Sequence, residues 1–188
     1  MRQWNSSCAS ALPLQELGVE RRTSEKERFL YYRNVSYNYN PNHVASLNIT
    51  TINSSQGVLI HFTPAHNITK NIWLDLAVLM KPLNADKFQP VLNFNLNGCA
   101  LLRRSSGPNG FDIAKRWANN FLNSGSVPIS CPVLKNNYTW SIYPTKKNGV
   151  PILQLEGFYR LIANLYFKRS KRIESFVNTS TTSELMYK

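Results

Sequence analysis

Hydrophobic and polar residues alternate with period two in several separate segments of this chain. In residues 91–96, Leu92, Phe94 and Leu96 alternate with Asn93, Asn95 and Asn97. That period is what a strand with one buried face produces. Residues 158–167 repeat it over a longer span. Tyr159, Leu161, Ala163, Leu165 and Phe167 face one way, and Arg160, Asn164 and Lys168 the other. Residues 138–142 set Tyr138, Trp140 and Ile142 against Thr139 and Ser141. Residues 44–53 alternate more weakly, with Ala45, Leu47 and Ile49 against Ser46, Asn48 and Thr50. Ser54, Ser55, Gln56 and Gly57 then supply turn chemistry, and residues 58–63 read as a second strand that Pro64 stops.

Two segments depart from the pattern. Residues 71–81 are apolar on both sides, which predicts a central strand; helix is the competing reading, because Leu and Ala are good helix formers. Residues 111–122 switch to spacings of three and four, with Ile113, Trp117 and Phe121 beside Ala114, Ala118 and Leu122. That stripe predicts a helix of about three turns, with Asn109 as N-cap, Asp112 in the first turn and Gly125 placed to end it. Residues 168–172 read as a basic turn, and 173–177 complete a hairpin. Strands at short intervals around one helix predict a mainly β fold: a two-sheet antiparallel β-sandwich with one helix between Cys99 and Cys131. The expected organisation is a polar leader or tail over residues 1–28, a single domain over 29–178 and a polar tail over 179–188.

Composition narrows the class. The chain has 188 residues, 43% of them hydrophobic, which fits one globular domain and excludes a disordered chain. No apolar run reaches the roughly 18 residues of a membrane-spanning helix. Formal charge is +12, of which residues 101–188 carry +9. A field of that sign attracts nucleic acid, anionic head groups, sulfated sugars or acidic proteins without choosing among them.

Glycosylation signals of the form N-x-S/T occur seven times, at Asn5, Asn34, Asn48, Asn53, Asn67, Asn137 and Asn178. The chain's 22 Asn and 28 Ser plus Thr would give about three by chance. The excess points to the secretory route, where a disulfide persists. Residues 1–20 contain no apolar signal-peptide core, so a secreted protein is expected to have its true start upstream. In that compartment Cys99 and Cys131 read first as a structural bridge and second as a nucleophile or metal pair, with Cys8 left over.

The candidate chemistry is sparse. Trp73, Leu76, Leu92, Phe94, Trp140, Tyr159, Leu161, Leu165 and Phe167 are the large residues on predicted inward faces. Filling a core is their ordinary role, each stabilising by roughly 1.5–3 kcal/mol when buried; lining an apolar ligand pocket is the other. His43, His61 and His66 lack metal-ligand spacing and read as surface or edge residues; no metal or cofactor is expected. Between Asp112 and Glu184 the carboxylates are Glu156 and Glu174, and no acid pair, nucleophile motif or phosphate-binding loop is evident, so no enzyme is expected. Lys168, Arg169, Lys171 and Arg172 read as a solvated turn. Their functional alternative is a basic patch, with Arg103, Arg104, Lys146 and Lys147, for anionic head groups or an acidic partner. No nucleic-acid motif accompanies them.

The run Phe94-Asn95-Leu96-Asn97-Gly98-Cys99, the aromatic helix, Ser130-Cys131-Pro132 and the late run Leu155-Glu156-Gly157-Phe158-Tyr159-Arg160-Leu161 resemble domain-of-unknown-function family 1091. That insect-expanded family includes chemosensory and pheromone-linked secreted proteins. It is similar to ganglioside-activator proteins and to the ML lipid-recognition sandwiches. The resemblance covers residues 29–178; the family's earlier cysteine pair has no counterpart here. It implies a cup-shaped sandwich holding an apolar ligand between its sheets. The expected function is therefore a secreted binding protein for a hydrophobic small molecule or lipid, with a membrane receptor or anionic head groups as further partners. The alternative is an interaction module with a filled core acting on a receptor through a basic face. A basic intracellular protein is the third class, which glycosidase-sensitive mobility on a gel would exclude.

Overall fold

Strand pairing turns the period-two segments into two antiparallel sheets. The computed structural model describes residues 27–104, 124–128, 130–143, 155–169 and 172–187. In chain order the elements are β1 (Arg28–Tyr39), β2 (Val44–Ile52), β3 (Gly57–Pro64), β4 (Ile72–Pro82), β5 (Gln89–Asn97), α1 (Gly98–Arg104), β6 (Gly125–Ser126), β7 (Tyr138–Ile142), β8 (Gly157–Arg169) and β9 (Arg172–Tyr187). One sheet has five strands in the order β1-β9-β8-β4-β5, the other four in the order β2-β3-β7-β6. The expected two-sheet sandwich is the observed architecture.

The ambiguous segment 71–81 forms β4, paired on one side with β5 and on the other with β8. Two partners satisfy its backbone along its length, and that tertiary pairing overrides the helix propensity of Leu and Ala. The β2–β3 hairpin turns through Asn53, Ser54 and Ser55, all with positive φ. Asn tolerates that conformation, and Gly57 follows where the ring of Tyr143 lies 2.7 Å from the position a Cβ would take.

Two expectations need correction. The stretch 179–187 is the second half of β9, paired with both β1 and β8, and so extends the sheet where a polar tail was expected. Its Ser and Thr side chains suit a pleated, half-buried surface. Gly125 lies in β6, opposite Trp140, and so belongs to a strand pair where a helix cap was expected. Its φ is +153, and an added Cβ would sit 2.6 Å from the Thr139 carbonyl oxygen. The helix observed near Cys99 is α1, whose first turn is capped by Asn97 Oδ1 accepting from the Ala100 amide at 3.0 Å; the helix expected over 111–122 lies outside the described residues.

Cys99 and Cys131 are bridged, with Cα atoms 5.6 Å apart. Backbone bonds in both directions between Ile68 and Val133 tie the same segment to the β3–β4 connection. The bridge therefore fixes the end of the five-stranded sheet to the strand-rich region that follows.

Candidate functional site

The pleat decides which side chains face the opposite sheet. On β4 the inward set is Ile72, Leu74, Leu76, Val78 and Met80; on β8 it is Tyr159, Leu161, Ala163, Leu165 and Phe167. On β5 it is Leu92, Phe94 and Leu96, and on β9 Val177, Thr179, Thr181, Ser183 and Leu185. The four-stranded sheet presents Leu47, Ile49, Val58, Ile60, Phe62, Tyr138, Trp140 and Ile142.

Eight of the nine expected pocket residues therefore share the interior: Leu76, Leu92, Phe94, Trp140, Tyr159, Leu161, Leu165 and Phe167. Trp73 does not. It pairs with Tyr166 and Asn97 on the outer face, under the Lys168 ammonium 4.7 Å from its ring. Both sides of β4 are apolar, so its own pattern does not say which set turns inward. The clean alternation of β5 does: Leu92, Phe94 and Leu96 oppose Val78, Leu76 and Leu74.

The interior is packed unevenly. One buried cluster joins both sheets and includes Phe62, Tyr138 and Trp140 with Phe167, Phe176 and Val177. Phe167 and Phe176 stack with ring centroids 4.5 Å apart. A second cluster, Leu30, Val78, Met80, Tyr159 and Leu185 with Tyr32, Leu92 and Leu161 beside it, draws on the five-stranded sheet alone. Between the two lie Leu161, Ala163 and Leu165, all half-buried although β8 is the central strand of its sheet. Phe94, Thr179 and Thr181 on the same face, and Ile49 and Ile60 opposite, are also half-buried. In a filled sandwich the centre of the inward face is its driest part.

Polar groups are placed at the margins of this face. Tyr32 lies opposite Ser183, and burial pushes its phenol up to about 12. Tyr159 donates to the Leu155 carbonyl at 2.7 Å. Burial raises its pKa as well, the Leu155 bond opposing and the nearby Tyr187 adding to the shift. Thr179 and Thr181 give the β9 side of the face hydroxyls, whereas Leu76 and Phe94 make the β4–β5 side apolar.

At the opposite end stands a group that spacing did not reveal. His43 is 9% exposed, not a surface or edge residue as expected. Its Nε2 is 2.8 Å from Glu174 Oε1, and its ring meets Phe167 and Phe176 edge-on. Lys70 stands 3.9 Å from the same carboxylate. His66 also meets the His43 ring, at 5.6 Å between centroids, but is exposed, as is His61. Among the described residues no group of three His, Cys, Asp or Glu side chains is arranged to hold a metal.

Of the basic turn, Lys168 and Arg172 are exposed. The Arg169 backbone pairs with Arg172. Lys171, Lys146 and Lys147, and the side chains of Arg103, Arg104 and Arg169, lie outside the described residues. The glycosylation-signal residues Asn34, Asn48, Asn53, Asn67, Asn137 and Asn178 are all exposed. Asn67 and Asn137 use Oδ1 as an acceptor, from the Lys135 amide and the Thr63 hydroxyl, so the nitrogen that carries a glycan is not the atom holding the side chain in place.

Among curated proteins none matches this chain. A family model does: residues 74–161, from β4 into β8 and including both bridged cysteines, match the family described as "Protein of unknown function (DUF1091)", in support of the resemblance to family 1091.

Proposed function

We propose that this protein is a secreted, glycosylated, non-enzymatic carrier that holds a hydrophobic small molecule or lipid between its two sheets, in the manner of the ML and ganglioside-activator sandwiches. The observation that carries this reading is the half-burial of Leu161, Ala163 and Leu165 on the inward face of the central strand. A ligand laid there would cover the apolar surface that the two buried clusters leave between them. Burying apolar area contributes about 25 cal/mol per Å², so a lipid chain along three such residues has a substantial driving force. The hydroxyls of Thr179 and Thr181 would orient a polar head at one side, the usual division of labour in a small-molecule site. A chemosensory or reproductive setting follows the family resemblance alone.

The direct test is to purify the protein from secreting cells, extract it with organic solvent and identify what is released by mass spectrometry. The expected result is a hydrophobic compound in stoichiometric amount, and a fluorescent fatty-acid probe that competes with it. A blank extract from protein that also ignores the probe overturns the proposal and leaves an interaction module with a filled core.

A further inference from the structure

The outer face of the five-stranded sheet repeats one arrangement three times: a cation set over an aromatic ring. Lys168 lies over Trp73 at 4.7 Å from the ring centroid, Lys81 over Phe158 at 4.8 Å and Arg160 over Phe88 at 4.2 Å. Among the described residues none of these three cations is paired with a carboxylate. Arg33, on the β1 side, is different: it is tied to Glu184. A cation over a ring is positioned without being neutralised, so its charge remains available to an incoming anion.

We propose that this face, formed by β8, β4 and β5, binds an anionic polysaccharide. From Trp73 to Lys81 the face is roughly 25 Å long at about 3.3 Å per residue, with cation–ring pairs at both ends. Between the ends Asp75, Asn93, Asn95 and Asn164 are interspersed with the apolar Ala77, Leu79 and Ile162, the last 40% exposed. Amide groups in that position bond sugar hydroxyls, the rings offer flat apolar surface, and the cations meet sulfate or carboxylate groups. A lipid bilayer fits less well. The rings lie under cations, and Asp75 with the three Asn amides breaks up the apolar side chains that an inserting surface needs to be continuous. The glycosylation signals are consistent with an open face, since β4, β5 and β8 contain no N-x-S/T. The face lies on the other side of the sheet from the proposed ligand space and stands independently of it.

The experiment compares two triple variants of equal charge on immobilised heparin and on vesicles of phosphatidylserine and phosphatidylcholine. Lys81→Gln with Arg160→Gln and Lys168→Gln removes the face. Arg28→Gln with Lys70→Gln and Lys135→Gln removes the same charge elsewhere. The face variant is expected to lose about tenfold in heparin affinity at physiological salt and to elute at lower salt, and the control variant less than about twofold. Trp73→Leu, with every cation kept, is expected to weaken binding a fewfold and leave its salt dependence unchanged. Equal losses in the two triple variants would reduce the effect to overall charge and overturn the proposal. So would wild-type protein that prefers the vesicles and loses that preference, but not heparin binding, in the face variant.

Discussion

Tyr32 and His43 illustrate how burial sets the behaviour of single groups here. Tyr32 sits beside the second apolar cluster, and desolvation raises its phenol to about 12. The folded state thus holds its proton more tightly than the unfolded chain, whose phenol titrates near 10. Stability from this group is complete below about pH 10 and is lost as pH rises towards 12, by about 2–3 kcal/mol at most. Urea midpoints measured across that range should fall in the wild type and fall less steeply in Tyr32→Phe. His43 makes a different case. Its ring fills space against Phe167 and Phe176 while Nε2 pairs with Glu174. His43→Ala should therefore cost about 2–4 kcal/mol, read as a lower denaturation midpoint. His43→Phe should recover most of that loss, because it restores the volume and Lys70 remains near the carboxylate.

At the scale of the element, the disulfide and the strand edges carry the next expectations. The bridge closes a loop with a sequence separation of 32, and replacing both cysteines by serine should cost about 3–4 kcal/mol in urea unfolding. Gly125→Ala would place a Cβ 2.6 Å from the Thr139 carbonyl and should unpair β6 from β7, seen as faster exchange of the Ser141 amide, which donates to the Ser124 carbonyl. How far these elements could be read beforehand depended on contrast between neighbouring side chains. The span 138–142 was legible as β7 to the residue, because aromatic and hydroxyl positions alternate there. β4 was legible as a strand but not as to facing, since Trp73 and Leu74 are both apolar and a strand slipped by one residue reverses its faces. The second half of β9 was illegible for the converse reason: Thr179, Ser180, Thr181 and Thr182 are polar on both faces, so no period shows. The pairing of His43 with Glu174 lies across 131 residues and has no local signature at all.

At the scale of the whole molecule the two faces of the five-stranded sheet divide the chemistry. The outer face carries the cation–ring pairs, and the inner face carries the apolar surface between two buried clusters. Whether that inner surface encloses a binding space or a slightly loose core is a question of volume, and volume is testable with one residue. Ala163 lies at the middle of β8, opposite Leu76 on one side and Thr179 on the other. In a filled core, Ala163→Phe would force neighbouring side chains off their rotamers and cost about 1–3 kcal/mol, with ligand binding irrelevant. In a cup, the same ring enters the space a ligand would take. The expected outcome is near-native stability, a gain where the added ring buries apolar area, and loss of fatty-acid probe binding. Measuring the urea midpoint and the probe titration on one preparation separates the cases. Destabilisation with unchanged probe binding would mean that the inward face of β8 is core and that the carrier reading is wrong.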